Sequence, residues 1–130
     1  MTYRIEFPPG TRLISANGRS SKLAVSANKV WEKREVTKLL REMGCKLAKK
    51  AAIPQLDKVR VRAIYYPPNK ARRDSSNVLF HSSKAALDGF TDAQIWRDDN
   101  DKVVRSLELM PGDRIIPGGQ MVIEIEVYDE

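Results

Sequence analysis

The sequence predicts an α+β fold in the order β, α, β, α, β, β, with two main helices packed on one side of a small mixed sheet. Three observations predict it. Apolar residues recur at every second position in "KVRVRAIYY" (Lys58–Tyr66) and "QMVIEIEVYD" (Gln120–Asp129), the period of half-buried strands. They recur at helical spacing over residues 26–52 and 76–91. Turn-forming breaks separate these segments: Pro8-Pro9-Gly10, Pro67-Pro68-Asn69, and the run from Pro111-Gly112-Asp113 to Pro117-Gly118-Gly119. At 130 residues without repeats or low-complexity tracts, the chain reads as one domain, 1–130, with a single modest core.

Each element has its own signal. Residues 2–7 alternate polar and apolar and read as a short strand stopped by Pro8-Pro9. Residues 11–21 hold Asn17-Gly18-Arg19 and paired serines and read as a mobile polar, basic loop. The first helix is expected from Ser26, its N-cap, to Ala52, with Pro54 closing it. Val30, Leu39, Leu40, Met43 and Leu47 are its expected apolar face, and Lys33, Arg34, Lys38, Arg41, Lys46 and Lys49 fill much of the remainder. In the strand at 58–66, Val59, Val61, Ala63 and Tyr65 point one way and Arg60, Arg62, Ile64 and Tyr66 the other. A second helix is expected over 76–91, packing through Val78, Leu79, Ala85, Ala86 and Phe90. Strands at 101–110 and from Gln120 onward complete the order.

The charge is unevenly placed. Residues 1–73 carry 18 Lys/Arg against 5 Asp/Glu, whereas residues 74–130 carry 5 against 12. A basic surface beside an acidic pocket suits a polyanion held by cations and metal ions held by carboxylates. A solvated basic helix joined to an unrelated acidic half has the same composition, so charge alone leaves both open. No apolar stretch reaches membrane-span length and no signal-peptide core opens the chain, so a cytoplasmic protein without a membrane partner is expected. Cys45, the single cysteine, agrees with a reducing compartment and reads as a structural residue on the first helix.

Two constellations carry possible chemistry. On the second helix, Asn77, His81, Lys84 and Asp88 fall at offsets 0, 4, 7 and 11, which places them on one face. A solvated stripe with a weak Lys84–Asp88 pair would look the same. Asp74 stands just ahead of this helix, where the dipole favours an anion. In "WRDDNDKVV", Asp98, Asp99 and Asp101 crowd three acids into four positions. Two such charges ~4 Å apart repel by about 4 kcal/mol at an effective dielectric near 20. A hard cation relieves that repulsion, and so does splaying into water. The expected site has Asp74 and the Asp98-Asp99 pair converging on Mg²⁺, with Lys84 near the scissile phosphate.

The segment "RRDSSN…KAALDGFTDAQIWRDDNDKVV" resembles the RusA family of Holliday-junction resolvases, homodimeric Mg²⁺-dependent endodeoxyribonucleases of phages and prophages. The resemblance spans Pro67 to about Val104, with several motifs in order. It implies a RusA-like fold and a structure-selective nuclease of recombination and repair that resolves four-way or branched DNA, with Mn²⁺ able to replace Mg²⁺. By position, Asp74 matches the family's first metal-binding Asp, Asn77 its Asn, Lys84 its catalytic Lys and Asp99 its final catalytic Asp, with Asp98 before it. Asp88 matches an acid of structural role within the helix. Lys70, Arg72 and Arg73, with Arg4, Arg12, Arg19, Lys22 and the basic helix, are the implied DNA contacts.

Two departures stand out. Ser76 occupies the place of a second catalytic Asp. Asn77 and Lys84 are seven residues apart against the family's three, which moves Lys84 ~6 Å along the same helix face and puts His81 in the added turn. Ser76 therefore motivates an alternative, a junction- or nucleic-acid-binding module of the same fold with weak or no cleavage. A third reading, a plain basic RNA- or DNA-binding domain, lacks an aromatic recognition strand, because the adjacent Tyr65 and Tyr66 point to opposite sheet faces.

Overall fold

The computed structural model describes residues 1–16, 23–71 and 73–128. Arg19, Lys22 and Arg72, and the Asn17-Gly18 turn, lie outside the described residues. The elements are β1 (Thr2–Glu6), β2 (Leu13–Ser15), β3 (Ala24–Ser26), α1 (Val30–Lys50), β4 (Val59–Tyr66), α2 (Ser76–Asp92), β5 (Val104–Pro111) and β6 (Gln120–Val127). The α+β class holds: a mixed four-stranded sheet of order β1-β6-β4-β5, two helices and a second, two-stranded sheet.

β4 is central and fully committed. It pairs antiparallel with β6 from Val59↔Val127 to Tyr66↔Gln120 and parallel with β5. A parallel pair needs a crossover, and α2 supplies it, so β4-α2-β5 is a βαβ unit. Val59, Val61, Ala63 and Tyr65 sit in the main core with Leu79, Phe90 and Trp96, while Ile64 and Tyr66 join Val122 in a small cluster on the other face. The rest of that outer face is an ion-pair ladder of Arg4 and Arg62 on Glu124, and Arg60 on Glu126.

The structure changes three expectations. The segment read as a loop at 11–21 contributes β2, whose three residues are all buried and pair in parallel with β3. β2 is held against α2 by the Ile14 N–H donating to Ser82 Oγ (2.9 Å) and the Ala16 N–H donating to the Asn77 carbonyl (2.7 Å). Ser26, expected as a helix cap, lies in β3, and its Oγ accepts from the Asn28 N–H (3.1 Å). Helix α1 therefore begins at Val30, after Lys29, without a side-chain cap. Its buried residues are Val36, Leu40, Gly44 and Ala48, whereas Val30 and Leu39 face solvent. The buried stripe uses small residues because α1 packs directly against α2. Gly89 on α2 is so close that an added Cβ would lie 2.2 Å from the Arg41 carbonyl oxygen.

Candidate functional site

Helix α2 carries three stations. At its start, Asp74 Oδ1 accepts from the Ser76 N–H (3.0 Å) and from Ser76 Oγ (2.7 Å). Asp74 thus closes an Asx turn that satisfies an otherwise orphaned helix N–H. Ser76, where the resemblance leads one to expect an acid, completes this turn. The two residues line a cavity with Arg73, Ser75, Leu109 and Pro111. An adjoining cavity is lined by Lys70, Arg73 and Arg114, among others. Arg73 donates to Asn69 Oδ1 and to the Ala71 carbonyl, so its guanidinium braces its own loop. Arg12, exposed ahead of β2, is remote in sequence from this group.

At mid-helix, the Lys84 ammonium lies over the Phe80 ring, 4.4 Å from its centroid. His81 meets the same ring edge-on at 5.1 Å. Burial, followed by the charges of Lys33 and Lys84, lowers the His81 pKa and favours neutral imidazole. Asn77 contributes its carbonyl to β2.

Toward the helix end, a cavity of about 580 Å³ is lined by Lys84, Leu87, Asp88, Asp99, Asp101 and the first half of β5, including Arg105. Asp99 is half-buried and its pKa is raised, chiefly by burial, then by the charge of Asp88 and hydrogen bonds with Asp88 and Asp98. A nearby carboxylate disfavours the charged form of Asp99, in the same direction as burial. Asp98, by contrast, is exposed and accepts from Asn100 Nδ2 at 3.4 Å. Asn100 organises the turn into β5, accepting the Lys102 N–H (2.9 Å), while Arg105 donates to the Asp101 carbonyl (3.1 Å). Arg41 of α1 forms a two-pronged bridge to Asp92 (2.6 and 2.9 Å), and the charges of Asp88 and Asp99 also act on it.

Lys84 and Asp99 line one cavity, whereas Asp74 lines another and is not brought to the Asp98-Asp99 pair. Ser76 and Asp88 lie twelve positions apart on an unbroken helix, about 18 Å of rise. The parallel crossover sets α2 antiparallel to β5, so Asp74 faces the Leu109–Pro111 end of that strand and Asp88 the Val104 end. Asp88, read from sequence as structural, replaces Asp74 as the partner of Asp99. The i,i+4 spacing of Lys84 and Asp88 put both on one face, but the contact to Asp99 depends on how residues 93–103 fold back.

Donor chemistry in the Asp88–Asp99 cavity fits a hard divalent cation. Asp88, Asp99 and Asp101 offer carboxylate oxygens to one cavity, and Mg²⁺ takes one or two carboxylates and completes its shell with water. Among the described residues, no three His, Cys, Asp or Glu side chains form a metal-holding group, so the fit is to that sparse kind of site. No helix is long and apolar enough to cross a membrane among the described residues. Comparison with models of known protein families gives no match, and comparison with curated proteins gives no significant match.

Proposed function

We propose that this protein is a Mg²⁺-dependent, structure-selective endodeoxyribonuclease that resolves four-way or branched DNA, acting as a cytoplasmic homodimer and accepting Mn²⁺ in place of Mg²⁺. The observation that supports it is the cavity between α2 and β5, where Lys84 stands at the rim of the Asp88–Asp99 carboxyl pair. The RusA-like order of motifs from Pro67 to Val104 supports the same reading.

In this reading Asp88 and Asp99 hold the metal, with Asp101 at the cavity edge. When bound, the metal lowers the pKa of a coordinated water and neutralises charge on the phosphodiester. Lys84 holds a non-bridging phosphate oxygen and opposes the charge that develops during attack. Lys33, Lys38 and Lys46 on α1, with Lys70 and Arg73 beyond the start of α2, hold flanking phosphates and read shape and position more than base sequence. A twofold dimer would present two such sites to the two strands that are nicked.

The test is cleavage of a synthetic four-way junction with Mg²⁺. Asp99→Asn, Asp88→Asn and Lys84→Ala should each reduce nicking by at least about 100-fold, the scale of losing one preorganised charge-stabilising group. Full activity in Asp99→Asn sinks the assignment. Asp74→Asn discriminates further, because its remaining oxygen can still accept the Ser76 N–H. Retained cleavage supports a capping role, and lost cleavage moves metal binding to the start of α2.

A second reading is favoured by the Asp74–Ser76 turn, which engages the residues that would otherwise form a carboxylate pair. It is a junction-binding module with little or no turnover. It predicts salt-sensitive junction binding with no product under Mg²⁺ or Mn²⁺, and a gain of cleavage in Ser76→Asp.

A further inference from the structure

Two large aromatic side chains stand in solvent where the helices carry their positive charge. Trp31, in the first turn of α1, is 77% exposed, and Phe80, in the first turns of α2, is 46% exposed. Each ring has a cation over one face. The Arg34 guanidinium lies 5.3 Å from the Trp31 centroid, and Lys84 lies 4.4 Å from that of Phe80. The stations belong to neighbouring helices, and His81 feels both Lys33 of α1 and Lys84 of α2. Lys33, Arg34, Lys38 and Arg41 line one groove of about 510 Å³ along α1, and Arg41 in turn lies within the field of Asp88 and Asp99. The groove thus links the two aromatic stations through its cations, Arg34 over Trp31 at one side and Lys33 acting on His81, beside Phe80, at the other.

Charge selects the occupant. A second copy of this chain docking through the same patch about a twofold axis would set these cations against themselves. A polyanion relieves that repulsion, and one with free π-faces also covers the rings. We propose that this face takes unpaired nucleotides, with bases stacked on Trp31 and Phe80 and the intervening phosphates held by Lys33, Arg34 and Lys38. The surface suits single strands because every base offers a π-face, whereas in a duplex those faces are already stacked. The inference rests on the nucleic-acid reading above and requires no cleavage.

The test uses the wild-type chain and an oligothymidylate of about 16 nucleotides, the upper site size of a compact single-strand-binding fold. Of the two tryptophans, Trp96 is fully buried, so acrylamide quenching reports mainly on Trp31. Saturating oligonucleotide should shield Trp31 from acrylamide. Trp31→Ala and Phe80→Ala should each weaken oligonucleotide binding about 5- to 100-fold, more than they weaken duplex binding, and Trp31→Phe should recover most of the loss. Unchanged acrylamide access in the saturated complex, or wild-type affinity in both alanine variants, overturns the proposal. Junction cleavage without shielding overturns this inference and leaves the nuclease reading standing. Shielding without cleavage supports the inference and removes the nuclease reading.

Discussion

Gly89→Ala probes the contact that joins the two halves of the candidate site. A Cβ at this position would lie 2.2 Å from the Arg41 carbonyl oxygen and 2.9 Å from the Cys45 nitrogen. The first separation is more than about 1 Å short of van der Waals contact, and both atoms are backbone, so no rotamer change relieves it. Alanine gains about 1 kcal/mol over glycine in helix propensity. Overpacking costs ~1–3 kcal/mol where the surroundings can adjust, and here the cost should reach the top of that range. The net loss is therefore about 2 kcal/mol, or a fall of roughly 5–10 °C in Tm for a domain of this size. Urea and thermal unfolding followed by circular dichroism would measure it. Gly44→Ala is the matched control, because its Cβ meets the Ala86 carbonyl oxygen at 3.0 Å. There clash and propensity nearly cancel, within about 1 kcal/mol. Since Asp88 precedes Gly89, the separation of α1 from α2 should also reduce cleavage in Gly89→Ala beyond its loss of stability. A Gly89→Ala protein as stable as wild type would refute the close approach of the helices.

The other predictions concern the ends of α2. Asp74→Ala removes the acceptor for the Ser76 N–H and hydroxyl and should cost about 1 kcal/mol of stability, measured by urea unfolding; no change would show that the turn contributes nothing. The Arg41–Asp92 bridge depresses the Asp92 pKa, so its stabilisation is present above the ordinary carboxylate range and is lost as pH falls through the depressed value. Both side chains are more than a third exposed, which limits the bridge to at most about 1 kcal/mol. Asp92→Asn should therefore lower the urea midpoint at neutral pH and match wild type once acid has protonated Asp92; a difference that persists in acid would exclude the ion pair as its cause.

Much of the fold was legible because its signals are local. The alternation through Lys58–Tyr66 predicted β4 and the correct residues for each face, since one sheet face meets the helices and the other meets the ion-pair ladder. Alternation from Gln120 similarly marked β6, and the apolar spacing over 76–91 marked α2 almost to its ends. β2 and β3 were illegible: three residues each, they owe their pairing to each other and to Ser82 and Asn77 of α2. The outward placement of Val30 and Leu39 was hidden for a related reason. A periodic pattern shows that an apolar face exists, but the small residues Gly44 and Ala48 show which face the neighbouring helix can approach.

By itself, then, the sequence determined the α+β class, the two main helices, the basic first half, and the face shared by Lys84 and Asp88. These follow from period, composition and spacing along a single element. Tertiary structure decided which acids meet. Adjacent Asp98 and Asp99 were read as one pair and stay within hydrogen-bond reach, but the fold adds Asp88 to Asp99 and leaves Asp98 exposed. Asp74, read as their partner, stays at the far end of α2. A rigid helix holds residues twelve positions apart about 18 Å from each other, while a returning loop can bring residues eleven positions apart into contact. Charge repulsion within a sequence cluster is visible in one dimension; where it is relieved depends on the path of the chain in three.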